Sequence, residues 1–167
     1  HDGRHWSWLD FGAIFSTLAL SSLIMPAIVG IIADRWMNAE RVYGVLHILY
    51  GIILFFVPSV NDPGVLYYYI FAAMLCYMPT ISLSNSIAYN ILKRRGFDVV
   101  KVFPPIRVWG TIGFIVAMWV TNLTESKANA NQFIIAGIMA IGLGIYSFTL
   151  PSAPRRRWRI AGRAPLR

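Results

Sequence analysis

Arg107, Thr111 and Phe114 stand at i, i+4 and i+7 in a stretch, 102–123, whose only charged residue is Arg107. On a helix advancing 100° per residue the three fall within about 60° of one another. One face then offers a fixed cation, a hydroxyl and an aromatic ring. A guanidinium keeps its proton at any ordinary pH, so inside hydrocarbon it needs an anion, a group of carbonyls, a wet cavity or a polar ligand. The set suits a polar solute containing a ring: the guanidinium donates hydrogen bonds, the hydroxyl donates or accepts, and the ring stacks. The alternative is that Arg107, close behind Pro104 and Pro105, snorkels to the inner membrane surface.

Three further constellations carry polar groups in apolar surroundings. Ser82, Asn85, Ser86 and Tyr89 form one polar face, which either lines an aqueous cavity or bonds to neighbouring helices. Tyr43, His47 and Tyr50 share another; His47 could carry a proton near neutral pH or simply pack between the two rings. We take His47, Asn85 and Tyr89 as cavity candidates. The segment from Gly30 through Asp34 and Arg35 to Arg41 holds a glycine suited to close helix approach. Its carboxylate suits a facing helix amino end, and its two arginines suit charge-assisted bridges. Such a set is a conformational lock, or else a solvated turn with ordinary basic residues.

No phosphate loop, HExxH, Gly-x-Ser-x-Gly elbow or paired cysteines occur, so the expectation is no enzyme, no catalytic residue, no metal and no cofactor. Cys76, the single cysteine, reads as a packing residue in an apolar helix.

The elements that would position these residues are apolar helices. The chain has 167 residues, 57% hydrophobic and 13% charged, with a mean hydropathy of +0.58. With about 20 apolar residues needed to cross a bilayer, five spans are expected at about 11–33, 42–60, 65–92, 102–123 and 132–150. The fold class is therefore an all-α integral membrane bundle. Pro26, Pro58 and Pro79 should kink or interrupt their spans. Ala136, Ala140 and Gly144, with Gly110 and Gly113, should let helices approach closely.

A net charge of +8 could suggest nucleic acid, but the basic residues cluster between spans one and two, between three and four, and after span five. The opposite loops hold only Lys127, beside Asp62 and Glu125, and Arg4 before the first span is the one dissenting charge. By the positive-inside rule the amino end lies outside and the carboxyl end is cytoplasmic, and the partner is a lipid bilayer. Residues 1–10 form a polar lead, and 152–167 an Arg-rich tail. That tail reads either as a membrane-surface anchor or as a non-native edge.

The loop Gly30 to Arg41 resembles the Gly-x-x-x-Asp-Arg/Lys signature of the major facilitator superfamily, departing from its fullest form where Trp36-Met37-Asn38 replace the usual glycine. Met25 to Trp36, Tyr77-Met-Pro-Thr80 and above all Phe103-Pro-Pro-Ile-Arg-Val-Trp-Gly-Thr-Ile-Gly-Phe-Ile-Val-Ala-Met-Trp-Val120 together look like the bacterial nucleoside:proton symporters of that superfamily. The resemblance covers about 11–151. It implies a partial amino-terminal bundle, helices two to six of a twelve-helix transporter, with helix one and the second six-helix half lacking, so that these helices alone would transport nothing. It also implies nucleosides and protons as partners, a proton gradient as energy source, a bacterial inner membrane, and solute contacts at Arg107, Thr111 and Phe114. Two other readings remain open: a non-transporting helical interaction module, and a carrier of another solute such as a sugar.

Overall fold

The computed structural model describes residues 8–123 and 130–151, without the side chains of Asp10, Phe11 and Asp34. The lead before Trp8, the loop 124–129 and the tail 152–167 lie outside the described residues. Within them every regular element is helical: α1 (Trp8–Arg35), α2 (Ala39–Phe56), a 3-10 turn (Val57–Ser59), α3 (Pro63–Arg94), α4 (Val99–Leu123) and α5 (Asn131–Ser147).

Local chemistry sets the boundaries. Asp62 begins α3 by accepting a hydrogen bond from the Gly64 amide at 3.0 Å, with Pro63 in the first turn, where no intrahelical donor is needed. Asn61 to Gly64 is thus a helix start. At the other end of α3, Gly96 adopts φ +75°, and the Phe97 amide reaches back to the Leu92 carbonyl at 3.1 Å. That left-handed residue turns the chain, and Asp98 then accepts from the Val100 amide at 3.0 Å to begin α4. Pro58 falls in the 3-10 turn that ends α2, while α1 and α3 continue through Pro26 and Pro79. In each of those two helices one carbonyl four residues back loses its donor, and continuity is kept by the packing around it.

Four helices are long and apolar enough to cross a membrane, and α5 is apolar but has only 17 residues. A helix of that length rises about 26 Å, slightly under a hydrocarbon core of about 30 Å. The fifth span expected over 132–150 is therefore a helix to Ser147 followed by a tight turn, in which the Phe148, Thr149 and Leu150 amides bond three residues back.

Packing is uneven. The broad interfaces are α2 with α5, α1 with α3, and α2 with α3; α4 packs mainly on α3, through a much smaller contact. Val29, Ala33, Val42 and Leu83 form one buried cluster among α1, α2 and α3, and Leu54, Val57 and Leu66 form another toward the far end of α2.

The α2–α5 seam is the closest approach. A Cβ on Gly44 would lie 2.9 Å from the Gly144 carbonyl oxygen, and one on Gly144 would lie 2.9 Å from that of Gly44. Gly51 and Gly137 repeat the pairing seven residues along, at 2.8 and 3.0 Å. A seven-residue repeat keeps two helices in register along one seam, and glycines let their backbones meet where lipid supplies no hydrophobic drive. Ser147, fully buried, donates across this seam to the Glu40 carbonyl at 3.2 Å and within its own turn to the Gly144 carbonyl at 2.7 Å. The expected small-residue stripe is shifted accordingly. Ala140 and Gly144 are in the seam and Gly137 joins them, whereas Ala136 is exposed and Gly110 and Gly113 face open space.

Candidate functional site

α4 runs unbroken from Val99 to Leu123, with Pro104 and Pro105 in its second turn, so Arg107, Thr111 and Phe114 do share a helix face. All three are exposed, Phe114 at 65%, and no residue of α4 is buried. They line an open flank instead of an enclosed pocket. The face continues toward the carboxyl end of α4 at Met118 and Thr121, which with Trp119, Asn122 and Gln132 line a recess of about 400 Å³ between α4 and α5.

The amino-terminal end of the same face is anchored by a residue that the pattern of the sequence does not single out. Phe103, one turn before Arg107, meets Tyr89 of α3 edge to face, ring centroids 4.5 Å apart and planes at 65°. The available signal was spacing alone, since Phe103 extends the i, i+4 series by one step. Tyr89 is 45% exposed and ends the polar stripe of α3, in which Asn85 is half-buried and Ser82 and Ser86 are exposed. The stripe therefore borders the open space beside α4 and is not consumed by helix–helix bonds; among these hydroxyls and amides no interhelical hydrogen bond is described.

His47 does not join them. It is 6% exposed, inside the bundle, its Nδ1 donating to the Tyr43 carbonyl at 3.2 Å and its ring 4.2 Å from the Tyr43 ring. Only a donor can face a carbonyl oxygen, which fixes the proton on Nδ1 while that bond holds. The three cavity candidates thus separate: Asn85 and Tyr89 border the open side, and His47 is a packed residue of the core. Tyr50, from the same stripe, lies 5.1 Å from Tyr77 of α3 and ties the two helices together.

A Cβ on Gly30 would meet nothing within 4 Å, so no helix presses on it here. Arg35 and Arg41 are exposed, and the Asp34 side chain lies outside the described residues. At that end of the bundle Lys101 and Asp98 form an ion pair, 3.9 Å apart and solvent-facing, a geometry that contributes little. Among the described residues no group of His, Cys, Asp or Glu could hold a metal ion.

The comparisons with known proteins agree with this architecture. The family model described as nucleoside H+ symporter matches residues 4–162, reaching beyond 11–151 into both the lead and the tail. The chain is 41% identical over 150 residues to the xanthosine permease of Escherichia coli (strain K12), a match covering 90% of this chain and 36% of that protein. It is also 41% identical over 145 residues to nucleoside permease NupG of the same organism, covering 87% and 35%. It superposes on two crystal structures of nucleoside transporter NupG, one of them a mutant, with TM-scores of 0.87 and 0.90 at 36% identity. These cover 96% and 95% of this chain and 40% of the solved chain in each case. The chain spans about a third of the length of the curated relatives it matches.

Proposed function

The chain belongs to the nucleoside H+ symporter family, and from that premise we propose that the protein carries nucleosides together with protons across a bacterial inner membrane, by alternating access. The five helices supply one wall of the path. The opposite wall comes from helices outside these five, since alternating access needs two bundles rocking about a central site. The proton gradient is the energy source.

The observation that carries this reading is the α4 face. A permanent cation, a hydroxyl and an aromatic ring stand exposed on a largely apolar helix that leans on the bundle mainly through α3. In lipid such a face is costly unless it borders a polar path. In that path Arg107 and Thr111 hydrogen-bond the solute and Phe114 stacks on its base, while Gly30, Asp34, Arg35 and Arg41 act at the inner surface as the lock between conformations. The amino end faces outward and the carboxyl end the cytoplasm, as the basic residues require.

Uptake of radiolabelled uridine by cells expressing the protein tests the site. Arg107→Ala should reduce uptake by about 10- to 150-fold at equal membrane abundance, because a charge-assisted bond in a dry site is worth about 1.5–3 kcal/mol. Arg107→Lys should recover only part of it, the forked donor geometry being lost. Uptake unchanged in Arg107→Ala would remove the site from α4, and hexose competing as well as adenosine would redirect the solute class.

A further inference from the structure

The contact between Tyr89 and Phe103 gives the cleft between α3 and α4 a common level, with the two rings 4.5 Å apart. The short turn at 95–98 makes the two helices antiparallel, so equal steps away from that contact reach equal heights. Asn85 is four residues before Tyr89 and Arg107 four residues after Phe103, each a displacement of about 6 Å along its helix. On α4, Arg107, Thr111 and Phe114 point within about 80° of the Phe103 direction, and on α3, Asn85 lies within about 40° of the Tyr89 direction. Asn85 and Arg107 therefore stand at about one height on the adjacent helices, one turn beyond the contact of the two aromatic rings.

We infer that Asn85 is a specificity-determining residue that hydrogen-bonds a ribose hydroxyl of the nucleoside from the side of the cleft opposite Arg107. The inference rests on the nucleoside-carrier reading. Phe114 lies seven residues beyond Arg107, about 10 Å farther along the helix, so a base stacked against its ring leaves the sugar at the level of Arg107 and Asn85. A hydroxyl withdrawn from water must both donate and accept. The guanidinium only donates, whereas a carboxamide presents two N–H donors and a carbonyl acceptor. The hydroxyls of Ser82 and Ser86 also donate and accept, but both are exposed, whereas Asn85 is half-buried and offers two donors with its acceptor.

The test uses cells expressing the protein from its native gene, with uptake of uridine and its 2′-deoxy and 3′-deoxy analogues measured at equal membrane abundance. The unsubstituted protein should prefer uridine to at least one analogue by about 10-fold or more, because a site built to pair a hydroxyl rejects the compound lacking it. Asn85→Ala should raise KM for uridine by about 10-fold with maximal rate within about twofold, and should abolish discrimination against that same analogue. Asn85→Asp should bind more weakly still, its carboxylate pairing with Arg107 across the cleft. Should Asn85→Ala not reach the membrane, Asn85→Ser gives the same readout at smaller volume change. Parental discrimination retained in either variant, or no discrimination in the unsubstituted protein, overturns the inference. If Arg107→Ala loses uptake while Asn85→Ala keeps the parental pattern, the carrier reading stands and only the role of Asn85 falls; if the unsubstituted protein takes up no nucleoside, both fall.

Discussion

At the scale of single residues, glycines divide sharply by what a methyl group would meet. On Gly44 and Gly51 it would lie 2.9 and 2.8 Å from carbonyl oxygens of α5, and a backbone cannot retreat as a flexible side chain can. Gly44→Ala and Gly51→Ala should each destabilise the protein by about 1–3 kcal/mol, the range of overpacked interiors. Denaturant unfolding of protein in detergent would show it. Gly142, where nothing lies within 4 Å, is the control: Gly142→Ala should be neutral or slightly stabilising, by under about 1 kcal/mol, since alanine is the better helix former. Equal losses at Gly44 and Gly142 would mean that the seam is not where the backbones meet. Nothing in the pattern of the sequence separates these positions, because glycine reads the same on an open and a closed face. Arg107 shows the converse. Its type and isolation made it legible as a site at once, yet which side of α4 is covered was not.

Helices are positioned by their ends, and α3 illustrates how little of that depends on the core. Its first turn is held by Asp62 and its last by the left-handed Gly96. Asp62→Ala should cost about 1 kcal/mol as a lost cap, and Gly96→Ala about 1–2 kcal/mol, because an L side chain is strained at φ +75°. The two differ in what they disturb. Gly96→Ala should also speed amide hydrogen exchange through the turn at 95–98 and loosen the Tyr89–Phe103 contact just beside it, whereas Asp62→Ala should leave that region unchanged. Exchange equally fast at both ends in Gly96→Ala would sink the view that this glycine sets the angle between α3 and α4. An aspartate before the first turn and a glycine after the last are the residue types such caps favour. The length of α5 was not legible in this way, because the uncharged run continues past Ser147 while the helix does not.

For the whole molecule the consequential feature is asymmetry. α1, α2, α3 and α5 bury one another, and α4 stands at the side with its polar face open. A bundle so arranged presents α3 and α4 together to whatever completes the path. Its orientation in the membrane can be checked directly by cysteine labelling in a Cys76→Ala background, which removes the half-buried native thiol. Asn61→Cys should react with an impermeant reagent in intact cells, and Arg95→Cys only after the membrane is opened. The reverse pattern would overturn the outside placement of the amino end. Thr111→Cys should react from water, and nucleoside should protect it; reaction only with lipid-soluble reagents would turn that face toward acyl chains.

Periodicity and the placement of charge, both properties of the linear chain, determined that these are membrane helices, how many there are, and which three α4 residues point the same way. A 3.6-residue repeat is written in the sequence because each residue's direction depends only on its own position in the helix. Which faces meet was decided by packing, since the same apolar surface serves lipid and neighbour alike and only backbone approach tells them apart. So His47, polar and isolated like Arg107, was drawn into the interior beside Tyr43, the glycines of α2 found those of α5, and Asn85 was left half-buried at the edge of the bundle.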